Sequence, residues 1–152
     1  MTTQELWLLG AIELIKAYKN RSLSPVDVVT SHLERISKLN PQINAFHLLM
    51  EETALLSARK SEERWFKNAP LGLLDGIPTA IKDGLFISNI PIYRGSLANG
   101  VENNIPTSNA PVVDRMIDSG AIILGKTTMC DYGTLLYFVL CCLIPSQQVP
   151  TH

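Results

Sequence analysis

Residues 121–125 read Ala-Ile-Ile-Leu-Gly, with no polar side chain. An extended segment that is apolar in both directions must be covered on both faces, as parallel strands in layered α/β proteins are. Asn109-Ala110-Pro111 opens a helix whose inward positions are Val112, Val113, Met116 and Ile117, closed by Ser119-Gly120 just before this run. Further upstream, Ile77-Pro78-Thr79-Ala80-Ile81 reads as a second strand running into Lys82-Asp83-Gly84. Strand, helix, strand in this order predicts a parallel pair and an α/β layer architecture.

Ahead of these strands the pattern is helical. Leu8, Ala11, Ile12, Ile15 and Tyr18 predict a helix over 4–19. Ser24-Pro25-Val26-Asp27 supplies a capping hydroxyl, a proline at the first helical position and a carboxylate in the first turn. The helix it opens repeats Val26, Val29, Leu33, Ile36 and Leu39, and Asn40-Pro41 is expected to stop it. A short extended piece follows at 43–49, then a helix at 51–66. The apolar face of that third helix is interrupted at Ser61 and Glu62, which predicts an outer position.

Composition limits the function classes. The chain has 152 residues, 46% hydrophobic and 18% charged, with 13 Lys+Arg against 14 Asp+Glu. This much apolar content and so little net charge exclude a disordered chain. They also leave no cationic footprint for nucleic acid or anionic lipid, so neither nucleic acid nor membrane is expected as a partner. The longest apolar run, 135–144, is shorter than the roughly 20 residues a spanning helix needs. The N-terminus lacks the basic start of a secretory signal, and the three cysteines make an odd count with two of them adjacent. A cytoplasmic protein is expected. Mean hydropathy is +0.14, and its excess lies at the end, where 134–152 contain no Asp, Glu, Lys or Arg.

The residue best placed for chemistry is Lys82, at the point where a strand meets a glycine-containing loop. Ligands collect at the carboxyl ends of such strands, and burial among Ile77, Ala80 and Ile81 would favour the neutral amine that a general base requires. Read from the residues alone, a Lys82-Asp83 pair at a strand end is more often simply solvated, and that reading carries more weight. Gly125-Lys126-Thr127 has a phosphate-loop look, with Gly120 at the matching spacing. However, the four residues between are a strand, which cannot curl around a phosphate. Of the histidines His32, His47 and His152, the first lies inside the second helix and the last in the tail, with no Cys or carboxylate at ligand spacing near either, so no metal site is expected, and Cys130 has no marked histidine partner.

Two blocks, LDGIPTAIKDG at 74–84 and DSGAIILGKTTMCDYG at 118–133, closely resemble the amidase signature family. The resemblance runs from about residue 6 to about 136 and includes the Leu23-Ser24-Pro25 cap, the 42–46 segment, Arg94-Gly95-Ser96, and Asn109-Ala110 with Val112-Val113. It implies an α/β fold in which this chain supplies the N-terminal helices and the first strands of a mixed sheet, incomplete. It implies hydrolysis of carboxylic amide C–N bonds by a Ser, cis-Ser, Lys triad, with Lys82 as the catalytic base, a small-molecule amide substrate and no cofactor. The alternatives are a fragment of the A-type component of a glutamine-dependent tRNA amidotransferase and a non-catalytic binding remnant. The oligomeric state stays open.

Family members continue into a Gly-Gly-Ser-Ser-Gly-Gly segment that supplies both serines and the oxyanion amides. Here residues 137–152 read YFVLCCLIPSQQVPTH, with Ser146 the one serine and no glycine. The expectation is that residues 1–136 are the N-terminal part of an amidase domain and 137–152 a non-family hydrophobic tail, such as a frameshift produces. With both serines missing, the chain alone is expected to be inactive.

Overall fold

The computed structural model describes residues 3–96 and 104–133. The single helix expected over 4–19 is divided into a 3-10 segment, Thr3–Leu8, and α1, Ala11–Lys19. Gly10 makes the division: it favours helix weakly, lies in extended backbone, and donates its amide to Glu13 Oε2 at 2.7 Å. Helix α2, Pro25–Ile43, begins as predicted, with Ser24 Oγ accepting the Val26 amide at 2.9 Å and donating to Glu62.

Pro41 does not stop α2. It falls in the last turn, where one lost backbone bond costs little, and the helix ends at Asn44. That residue takes the left-handed conformation (φ 47) and returns its amide to the Asn40 carbonyl at 2.8 Å. Asn40 then grips Phe46 through both backbone groups, at 2.8 Å each, and so aims the chain into β1, Phe46–Leu49.

Helix α3 spans Glu51–Phe66 and lies on the outside of the fold as predicted, most of its residues exposed, but its inner face is not broken at Ser61. Ala54 and Ala58 pack with Val29 and Leu33 of α2 against Ile122 and Leu124. Ser61 is fully buried instead of interrupting the face, because its hydroxyl donates to Asp75 Oδ1 at 2.7 Å. The Asp75 carboxylate also receives Arg64 through two nitrogens, at 2.6 and 2.8 Å, and the Leu71 amide at 2.8 Å. Tyr18 and Trp65 close the same region, donating to the Gly76 and Asp75 carbonyls.

Among the described residues three strands lie in the order β1-β3-β2, with β3 at Ile122–Thr127 and β2 at Pro78–Lys82. β2 runs parallel to β3 across α4, Pro111–Asp118, and β1 runs antiparallel on the other side. This is the parallel pair that strand, helix, strand predicted. Ile122 and Leu124 face α2 and α3, while Ile123 joins Ile81, Ile87 and Val113 on the opposite side. The central strand is therefore covered on both faces. Each fully buried aliphatic side chain here contributes about 1.5–3 kcal/mol.

The ladder skips a residue at Leu124, where Thr79 pairs with Ile123 but Ala80 pairs with Gly125. Gly125 is required at this bulge, since a Cβ there would lie 2.2 Å from the Leu48 carbonyl oxygen. Beyond it the strand delivers Lys126 toward the ends of its neighbours.

Candidate functional site

Lys82 is the last residue of β2 and pairs with Thr127 at the end of β3. Both are carboxyl ends of parallel strands, where α/β sheets gather ligands. Its Nζ donates to the Thr128 carbonyl at 2.6 Å. The burial expected for Lys82 is not found: alternation along β2 turns Ile81 inward and leaves Ala80 and Lys82 exposed.

Three separate stretches meet around this lysine. The Asp83 amide extends the ladder to the Thr127 carbonyl at 3.1 Å. Gly84 lies beside Met129. Arg94 and Gly95 both take left-handed backbone (φ 52 and 72) and press the 94–96 turn onto the chain after β3. A Cβ on Gly95 would stand 2.4 Å from the Met129 carbonyl oxygen, so only glycine fits. The Tyr132 amide then donates to the Arg94 carbonyl at 2.8 Å.

Of the Lys82-Asp83 pair, Lys82 is solvated as the residues alone suggest, but Asp83 is not. Asp83 is buried, and its Oδ1 lies 2.7 Å from Lys126 Nζ and 3.1 Å from His47 Nε2. Its Oδ2 accepts the Tyr93 amide at 3.1 Å. Lys126 is fully buried and also donates to the Pro91 carbonyl at 3.2 Å, while the rings of His47 and Tyr93 meet edge to face. The Gly125-Lys126-Thr127 segment is thus strand, as the rejection of a phosphate loop required.

Burial would raise the Asp83 pKa, but His47 and Lys126 outweigh it and hold the carboxyl below its ordinary value. Asp75 behaves alike: burial opposes ionisation, and Arg64, Ser61 and the Leu71 amide overcome it. Both folded-state values lie below the unfolded one, so these groups contribute stability that is present above about pH 4 and is lost as pH falls through the folded values. Urea midpoints measured from pH 7 down to about pH 2.5 are expected to drop on the acid side. Asp83→Asn should flatten that drop, and a midpoint independent of pH would contradict it.

The other sequence candidates fall elsewhere. His32 lies in α2, with Nδ1 2.8 Å from the Val28 carbonyl oxygen. Cys130 is half-buried beside the 94–96 turn. His152 and Ser146 lie outside the described residues. Two clefts flank α2, and Lys82 lines neither. Among the described residues no three His, Cys, Asp or Glu side chains stand close enough to hold a metal, and no helix is long and apolar enough to cross a membrane. The His47–Asp83–Lys126 cluster has no signature in the sequence. Its members come from three different strands or strand ends, and only the sheet brings them together.

The family model described as Amidase matches residues 27–139. The A-type component of the glutamyl-tRNA(Gln) amidotransferase of Dehalococcoides mccartyi is 39% identical over 118 residues, 78% of this chain and 24% of that protein. Indoleacetamide hydrolase of Bradyrhizobium diazoefficiens is 32% identical over 128 residues, 84% of this chain and 24% of that protein. Among solved structures, the native peptide amidase of Stenotrophomonas maltophilia superposes with a TM-score of 0.72 at 27% identity, covering 80% of this chain and 25% of that one. The chain spans about a quarter of the length of the curated relatives it matches.

Proposed function

Since this chain belongs to the amidase family, we propose that its residues 1–136 are the base-bearing portion of an enzyme that hydrolyses carboxylic amides, with 137–152 outside that portion. The observation that carries this reading is the Lys82 ammonium at the open end of the parallel pair, where the 82–84, 94–96 and 126–133 stretches converge. The proposed role of Lys82 is that of the family's triad: the neutral amine draws a proton through a bridging serine, a second serine attacks the amide carbonyl, and backbone amides hold the oxyanion. The substrate class is a small carboxamide.

A base of this kind has to be taken out of water, and Lys82 is exposed. The tail offers one serine, Ser146, set between Pro145 and Gln147. The 152-residue chain by itself therefore lacks the nucleophile and leaves its lysine solvated. Incubated with simple carboxamides or with glutamine, the purified chain is expected to release no ammonia above buffer. Turnover that Lys82→Ala abolishes would overturn this part of the reading.

A second reading, that the chain is part of the A-type component of a tRNA amidotransferase, is favoured by its higher identity to that protein than to the indoleacetamide hydrolase. Glutamine as the preferred amide in a completed enzyme would select it.

A further inference from the structure

We propose that Asp83 and Lys126 are positioning residues for Lys82, an inference that rests on the reading of Lys82 as base. A buried ion pair is not needed to hold a fold together. Replacing such a pair with apolar side chains of similar size is often neutral or stabilising, whereas removing one partner strands the other charge. The purpose of this pair is better read from what it touches.

Its contacts lie at the site and not in the hydrophobic clusters. Asp83 follows Lys82 directly, and its amide continues the β2 ladder onto Thr127. Successive residues in extended chain point to opposite sides, so drawing the Asp83 side chain inward holds Lys82 outward. Lys126 does the same for the end of β3, and the Thr128 carbonyl just beyond that strand receives the Lys82 ammonium. The remaining contacts, Lys126 to the Pro91 carbonyl and Asp83 to the Tyr93 amide, tie down the start of the 91–96 loop. That loop carries Arg94, whose carbonyl holds the chain after β3. His47 fastens the same carboxylate to β1. One charge pair thus sets the relative placement of every stretch that meets at Lys82.

The test is amide hydrogen exchange on the full 152-residue chain, followed by NMR, in the wild type, the double variant Asp83→Leu/Lys126→Met and the conservative Lys126→Arg. The Tyr132 amide, bonded to the Arg94 carbonyl, reports on the site. The amides of Ile122 and Met50, bonded to the Ile77 and Leu124 carbonyls, report on the sheet. In the double variant, exchange at Tyr132 is expected to quicken about tenfold or more while Ile122 and Met50 stay within about twofold. The Lys82 Cε resonance should move toward that of a free lysine. Lys126→Arg should restore both signals.

Parallel acceleration at all three amides, or failure of the double variant to fold, would assign the pair to general stability and overturn the proposal. An unchanged Tyr132 amide would overturn it as well. Exchange rates do not depend on turnover, so failure of Lys82 as base would show in hydrolysis assays alone.

Discussion

Asp75→Ala is expected to lower folding stability by about 3–5 kcal/mol, because it strands one side of a buried, hydrogen-bonded ion pair. Asp75 is fully buried and accepts from Ser61, from two Arg64 nitrogens and from the Leu71 amide. Its removal leaves the Ser61 hydroxyl and the Leu71 amide without their acceptor and the Arg64 guanidinium without a counter-charge. The carboxylate also joins α3 to the segment that leads into β2, so the loss falls on the approach to Lys82. A domain of this size is held by only about 5–15 kcal/mol, so a loss of this order is a large fraction of the whole. Urea denaturation followed by circular dichroism measures it, and a loss under about 1 kcal/mol would show that the surrounding groups find other partners. Asp75→Asn keeps polar atoms in the same volume and should fall between wild type and Ala.

Local signals in the sequence foretold the parts of the fold that local physics decides. The Ser24-Pro25 cap, the third helix at 51–66 and the central strand could be read because capping chemistry and periodicity act within a few residues. Asn40-Pro41 predicts too early an end for α2, because Pro41 costs little in a last turn and the stop comes from the left-handed backbone of Asn44. Ser61 looked like a break in an apolar face because its partner, Asp75, stands 14 residues away on another segment. The same limit applies at the site. Lys82 could be placed at a strand end, but its exposure follows from the alternation of β2. Lys126 read as a phosphate-loop look-alike, and its pairing with Asp83 and His47 exists only once β1, β3 and the turn after β2 are side by side. Long-range pairings of polar groups leave no periodic trace.

The second large effect is expected at Lys82. If this lysine is the base of a Ser, cis-Ser, Lys unit, its removal disables the unit as a whole, since such residues act together and not additively. General-base catalysis alone contributes about 10²- to 10⁴-fold, and loss of a member of a nucleophilic unit lies at or beyond the upper end of that range. Thr128 accepts the ammonium through a backbone carbonyl, so Lys82→Ala removes no side-chain partner and no buried charge. The fold should survive the substitution, with a urea midpoint close to that of the parent, and any loss of rate can be assigned to chemistry.

The measurement that bears most directly on Lys82 as base is made in a hybrid enzyme. The matching portion of the Bradyrhizobium diazoefficiens indoleacetamide hydrolase is replaced by residues of this chain, so that the downstream part of that hydrolase completes the protein. Ammonia release from indoleacetamide is then compared between the hybrid and its Lys82→Ala variant. Hydrolysis by the hybrid is predicted, with a loss of at least about 10⁴-fold on Lys82→Ala and the fold intact. Equal rates in the two would contradict it.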